Sequence, residues 1–376
     1  MEEQEAFARL EKEWDHLCNV LENYVTVFAS FIWYRNWWGS YGAEAKLRIF
    51  VMWEGDSLVG IAPLMWKRYN LHGVKVRRIG FIQNNQSLHN DFIVLPEYRA
   101  IFLLQLIQSL FEQSSQWDEL YFRNFPLSSE NYASLAQILE AEGKSWKQNP
   151  NSIDSPYLIP AGGWQAFFSG RSRRTRKSLN NIKNRIRKAG KVSVKNFTTW
   201  EEFLSCKEDM FAVVKQSWAE RIGDSLVSSV NWKFFEALAY YAAEKGWLSI
   251  WALYLDSKMI AVEFHLKGYG KEHALRGHYN PELAALSPGT FLEMSILEHV
   301  FTESAGVHVY DFCGSFENYK KKWTDTSNPH CDIHIYKKTV YSKFIRFHEL
   351  IIEPRIRMIF HFANILGRPK SSAARN

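Results

Sequence analysis

Two stretches far apart in the chain follow one pattern of apolar runs and turns, though with few identities, and this constrains the fold more than any other feature. Leu47–Trp66 is LRIFVMWEGDSLVGIAPLMW, and Leu248–Lys267 is LSIWALYLDSKMIAVEFHLK, 201 residues later. Each is an apolar run, a turn of small polar residues and a second apolar run, the pattern of a β-hairpin. Further on, FLLQLIQSLF from Phe102 answers FLEMSILEHVF from Phe291, both with apolar residues at helical spacing. DELYF at Asp118–Phe122 then answers VHVYDF at Val307–Phe312, which sets Tyr121 against Tyr310 at an offset of 189. Generic α/β patterns resemble each other by chance, but four elements in one order and nearly one register point to duplication.

Each half therefore runs helix, antiparallel hairpin, third strand, helix and final strand. Strand, helix and strand in that order call for a parallel pair joined by a right-handed crossover. The expected fold is α/β (mixed α+β), two tandem domains, each a mixed, mostly antiparallel sheet with flanking helices. Ser155–Gly170, which contains Pro156, Pro160, Gly162 and Gly163, is the natural junction. The expected division is residues 1–155, residues 156–340 with the chemistry, and a basic amphipathic tail over 341–376. A chain of 376 residues can give two such units a core each.

Composition narrows the class. A hydrophobic content of 46% belongs to a folded protein, and the fifteen tryptophans belong mainly in cores and a domain interface. The opening MEEQEAFARLEKEWDHL is acidic, so no secretory leader is expected, and no apolar run reaches the roughly 18 residues of a membrane span. Cys18, Cys206, Cys313 and Cys331 stand far apart without a CxxC pair, which argues against a metal site and a disulfide framework. A cytoplasmic protein is expected.

The halves differ where chemistry would require it. Ala261, Glu263, His265 and Lys267 share one face of the second hairpin's outgoing strand, with Glu263 and His265 roughly 7 Å apart. The first half has Ala62 and Leu64 opposite Glu263 and His265. Either this polar face meets solvent, or it holds a carboxylate or imidazole able to take a proton from an amine. Ser287-Pro288-Gly289-Thr290 precedes the second half's main helix, whose free N–H groups suit a phosphate. Tyr98-Arg99-Ala100 stands at the matched place in the first half. Asp311, opposite Phe122, lies at the C-terminal end of a central strand, where it can orient an amine or hydroxyl or cap a turn. Lys320 is a candidate contact for an anionic group. Arg171–Lys191 holds ten basic residues with Leu179, Ile182 and Ile186 at docking positions, so it is a solvated helix face, a phosphate contact or an RNA contact. The tail mixes Phe344, Phe347, Met358 and Phe360 with Lys343, Arg346 and Arg357, divided by Pro354; it packs on the body or lies on an anionic membrane.

Three motifs carry a family resemblance: SRRTRKSLNNIKNRIRKAG, HYNPELAALSPGTFL and YDFCGSFENYKKKW. Together they resemble the BioF2-like or CelD-like branch of the GNAT acyltransferases, which is related to the tandem-GNAT FemABX peptidyltransferases. The resemblance covers most of the chain, best over 168–323. It implies acyl-CoA or acetyl-CoA lying where two central strands splay, its pyrophosphate against Ser287, Gly289 and Thr290, and direct attack by an amine on a thioester. It implies no metal. Glu263 or His265 would serve as base with Asp311 beside them, and Tyr279, Tyr319 and Lys320 would contact the substrate. Members are often associated with cell-surface polysaccharide or cellulose production, so the acceptor is expected to be a small-molecule or glycan amine. The compact Gln/Arg-x-x-Gly-x-Gly/Ala donor loop of ordinary GNAT enzymes is missing from this sequence. Aminoacyl-tRNA therefore stands as an alternative donor, and a catalytically silent binding protein of a polysaccharide-synthesis or RNA complex as the rival from another class.

Overall fold

The computed structural model describes residues 4–217, 228–302, 306–352 and 355. The first unit opens with helices α1 (Gln4–Ala8), α2 (Glu11–Val20) and α3 (Phe31–Tyr41). Strands β1 (Ala45–Leu47), β2 (Phe50–Glu54), β3 (Ser57–Ala62), β4 (Leu64–Leu71), β5 (Val74–Phe81) and β6 (Ile93–Val94) follow. Helix α4 (Arg99–Glu112) leads to β7 (Glu119–Pro126), and α5 (Glu130–Ala141) leads to β8 (Ser145–Leu158). The second unit continues with α6 (Gly163–Gly170), α7 (Arg173–Ala189), β9 (Val192–Phe197), α8 (Trp200–Gln216) and α9 (Ser229–Glu244). Its strands β10 (Leu248–Leu255), β11 (Lys258–Gly268) and β12 (Lys271–Tyr279) are followed by α10 (Pro288–Thr302), β13 (Val309–Asp311), β14 (Ser327–Tyr336) and α11 (Val340–Phe347).

Both hairpins form where the repeat predicts them, as β2–β3 and β10–β11, and both units contain the expected parallel pair, β5 with β7 and β12 with β13. The main helix crosses between the paired strands in each case, α4 in one and α10 in the other. The two sheets, however, are not separate. Eleven strands run in the order β1-β4-β5-β7-β14-β8-β13-β12-β11-β10-β9, and β2, β3 and β6 form a small second sheet. The join is a reciprocal exchange. β8, made at the end of the first unit, pairs with β13 of the second, while β14, made late in the second, pairs with β7 of the first. β8 and β14 also pair with each other, so the expected junction at 155/156 falls inside β8.

The helices cover both faces. Beneath α4 lie Ala62, Leu64, Leu120 and Phe122; beneath α10, α6 and α7 lie Ala261, Leu253, Tyr310 and Phe312. On the opposite face a shared core joins α2 and α3 to α8 and α9, with Trp33 stacking edge-on to Phe234 at 5.2 Å. Trp14, Trp33, Trp117 and Trp323 are among the largest fully buried side chains, as the core reading of the tryptophans requires. No helix among the described residues is long and apolar enough to cross a membrane.

Burial corrects one register. The inward residues of α4, Phe102, Leu103, Leu106, Ile107 and Leu110, match Leu292, Glu293, Ile296, Leu297 and Val300 of α10, an offset of 190 rather than 189. Strand alternation agrees, since Leu120 and Phe122 face α4 as Tyr310 and Phe312 face α10. Asp311 therefore corresponds to Tyr121 on the far face, not to Phe122.

Candidate active site

β12 pairs with β13 only from Lys271 to His273, yet it continues to Tyr279. The unpaired stretch leaves a gap in the sheet. A bulge helps to open it: Phe264 of β11 faces Arg276 but His265 faces Ala274, so Leu275 is an extra residue. The extra residue resets the alternation and turns Gly277 and Tyr279 toward α10. A cavity of about 380 Å³ fills the gap, lined by Glu263, Tyr279, Ser287, Gly289, Glu293 and Tyr319, among others.

The start of α10 forms one wall. Pro288 occupies the first turn, where its missing N–H costs nothing, and Ser287 takes a left-handed φ of 55° before it. A Cβ on Gly289 would lie 3.6 Å from the Tyr279 ring, so the cavity lies close against bare backbone here. Two cations flank the loop. Arg185 of α7 donates to Ser287 Oγ at 3.0 Å, and Lys322 Nζ donates to Thr290 Oγ1 at 3.3 Å. Helix N-terminus and paired cations make this wall electropositive.

The opposite wall is acidic. Glu263 is almost fully buried, and its Oε2 lies 3.1 Å from His265 Nε2. His265 Nδ1 lies 2.9 Å from Glu272 Oε1, so the ring is clamped between two carboxylates. Burial alone pushes His265 down, but its hydrogen bonds to Glu263 and Glu272 outweigh burial and hold it at about 9. Glu272 is depressed despite its burial, because His265 donates to it. Across the cavity Glu293 behaves oppositely: burial first, then the charge of Glu263, raise it to about 8. Tyr310 donates its phenolic hydrogen to Glu293 Oε1 at 2.7 Å. The expected polar face is thus buried rather than solvated, and His265 sits behind Glu263 rather than at the cavity surface.

Six of the nine candidate residues, Glu263, Tyr279, Ser287, Gly289, Thr290 and Tyr319, line this one cavity. Lys320 does not. It is buried, with Nζ donating to the carbonyls of Cys313 and Ser315, where it braces the turn after β13. Asp311 points to the other side of the sheet, into a second cavity of about 630 Å³ between the units. There it accepts from Ser155 Oγ at 2.9 Å and the Cys313 amide at 2.7 Å, with His89 Nε2 at 3.0 Å. Burial would raise Asp311, yet the His89 charge and these donors hold it well below the usual carboxylate range. His89, Asp311 and Cys313 could hold a metal by spacing, as could Glu119, His334 and Glu349, but each group already contains an ion pair.

Glu293, Tyr310, Glu272 and Arg185 were not singled out from the sequence. Glu293 carried a signal, being an acid on the apolar stripe of FLEMSILEHVF. The basic run forms α7 as expected, with Leu179, Ile182 and Ile186 buried. Of the tail, Val340–Ile352 is described; Pro354, Arg357, Met358 and Phe360 lie outside the described residues.

A mixed sheet with a parallel central pair crossed by a helix is thus built twice in one chain, and in the second unit the pair opens over the helix N-terminus. Residues 173–321, within the second unit, match the family model described as an acetyltransferase (GNAT) domain. No curated protein matches the chain. Among solved structures, FemX superposes with a TM-score of 0.59 at 13% identity, covering 91% of this chain and 98% of its own. The C-terminal domain of a candidate lysylphosphatidylglycerol synthetase from Agrobacterium fabrum reaches 0.53 at 9% identity, covering 89% and 94%. A protein of unknown function from Bacteroides thetaiotaomicron reaches 0.50 at 9% identity, covering 81% and 90%. At these identities the likeness is one of fold alone.

Proposed function

We propose that the protein is an N-acyltransferase in which residues 156–340 carry the chemistry, residues 1–155 support them, and the donor is an acyl-CoA. The observation that carries this reading is the shared cavity of Glu263 and the Ser287–Thr290 loop, an acidic and an electropositive wall facing each other. The electropositive wall suits the donor's pyrophosphate. The acidic wall suits a protonated amine, which Glu263 binds and then deprotonates, directly or through one water. The acceptor class is a small-molecule or glycan amine, as in the making of cell-surface polysaccharides by the BioF2-like proteins the sequence resembles. Isothermal titration with acetyl-CoA tests the donor, and absence of binding at millimolar ligand refutes it. Glu263→Gln should leave donor binding intact and lower turnover by roughly 10²-fold or more.

One observation favours a second donor. Arg173, Arg174, Lys177, Arg187 and Lys188 of α7 are exposed on the helix that carries Arg185 to the donor loop. Such a face suits a long polyanion, as an aminoacyl-tRNA donor would be. Tight RNA binding that weakens steeply with salt, together with silence toward acetyl-CoA, would select this reading. The tail adds a possible site of attachment: Ile345 and His348 dock, while Tyr341, Phe344 and Phe347 are exposed beside Lys343 and Arg346. This face fits the anionic inner surface of a membrane, with the enzyme itself cytoplasmic.

A further inference from the structure

Transfer of an acyl group from a thioester to an amine needs two proton movements. The nitrogen must lose a proton, and the departing sulfur must gain one. Glu263 serves the first, and no residue has yet been given the second. We propose, building on the acyl-transfer reading, that Glu293 is the proton donor to the leaving sulfur, with Tyr310 as its positioning residue.

Position is the first argument. Glu293 follows Gly289 by four residues and Thr290 by three, so all three share one face of α10. With the pyrophosphate on the Ser287–Thr290 loop, the donor's arm runs on into the cavity, which the Glu293 carboxyl lines one turn further along the helix. That carboxyl is almost fully buried and lines the same cavity as Glu263. Orientation is the second. Tyr310 occupies Oε1, which leaves the other oxygen to carry a proton toward the cavity. Protonation state is the third. Two largely buried carboxylates lining one cavity hold one proton between them more readily than none. Burial and the Glu263 charge place that proton on Glu293, at about 8, close to the thiol reference of about 8.5. A donor and acceptor so matched exchange a proton with little driving-force penalty.

The step balances. The bound ammonium first releases one proton through Glu263 to solvent; the neutral nitrogen then bonds to the acyl carbon and the carbon–sulfur bond breaks. The nitrogen's proton goes to Glu263, and the proton of Glu293 goes to the sulfur, giving amide and free thiol. Glu263 then returns its proton to Glu293 across the cavity, and the pair is reset. In the first unit the residue matched to Glu293 is Leu103.

Two measurements on the intact chain test this. Infrared difference spectra of wild type against Glu293→Gln should show a carboxylic-acid carbonyl band at neutral pH that disappears in alkali; its absence from the wild type overturns the proposal. Thiol release should then be followed from acetyl-CoA, and from an acetyl ester of an acidic aryl thiol, with glucosamine as the amine probe. Glu293→Gln should slow release from acetyl-CoA by about 10²-fold. With the aryl thioester, whose thiolate leaves unprotonated, it should approach wild type. Equal slowing on both donors makes Glu293 structural and overturns the assignment while acyl transfer stands. A wild type inert toward acetyl-CoA in binding and release overturns acyl-CoA transfer itself, and the assignment with it.

Discussion

At three matched places the first unit puts Gly60, Ala62 and Leu64 against α4, and the second puts Ala261, Glu263 and His265 against α10. Gly60 admits the Phe102 ring so closely that a Cβ would sit 2.6 Å from it. Beyond the parallel pair, β5 ends at Phe81, one residue after its last partner Gly80, while β12 runs six residues past His273. Phe81, Phe92, Phe122 and Phe125 fill the first unit at this point, with ring centroids 5.1–5.6 Å apart. At the position of Gly289 the first unit has Arg99, tied to Glu130 at 2.6 Å. One backbone plan thus yields a packed core in one copy and a charged cavity in the other. The contrast shows that a cavity costs its unit apolar burial, and that the copy without one could recover that burial with ordinary aliphatic and aromatic residues.

The comparison can be broken most severely by closing the second cavity. Gly289→Leu should abolish acetyl-CoA binding in titration calorimetry, an effect of about 100-fold or more. Thermal stability should hardly change, because a Cβ there meets only ordinary contact. The reverse exchange tests the first unit. Leu103→Glu places a carboxylate in a site with no exposure and no cavity, and should lower unfolding free energy by about 3–5 kcal/mol in urea titrations.

A gentler test uses pH. His265 is raised from 6.5 to about 9 by folding, so its contribution is complete below pH 6.5 and disappears as pH rises through 9. Glu293, raised from 4.5 to about 8, has the same sign, since its neutral form is the one the fold prefers. Stability should therefore decline from about pH 4.5 to 9, by on the order of a few kcal/mol. In His265→Gln and Glu293→Gln the Tm-against-pH curve should flatten. The smallest effect belongs to Arg185→Ala, which removes one exposed hydrogen bond to Ser287 and should weaken acetyl-CoA binding about 3- to 10-fold.

Much of this was legible in the linear sequence. Hairpins and crossover helices follow from local periodicity, so β10–β11 and α10 could be placed, and with them Glu263 and the Ser287–Thr290 loop. The misplacements share a different cause. Matching tyrosines in the sequence set Asp311 against Phe122, whereas burial alternation, which decides which face a strand residue occupies, shifts it by one. Lys320, in a run of three lysines, reads as a contact for an anionic group; its observed role depends on carbonyls presented by a turn that only the folded chain forms. Glu293 was overlooked because an acid on an apolar stripe looks like noise until Tyr310 and Glu263 stand beside it. The exchange of β8 and β14 joins strands some 180 residues apart, and no local pattern encodes such a pairing.

That exchange has a consequence for the handling of the molecule. Each copy lends the other a strand, so neither can be cut away without baring the partner's hydrogen-bonding edge. A fragment beginning at residue 160 would lack the neighbour of β13, and one ending at residue 158 would lack the neighbour of β7. The two halves should melt together as a single cooperative body. With the strands traded, deleting either copy leaves an unpaired strand edge on the other.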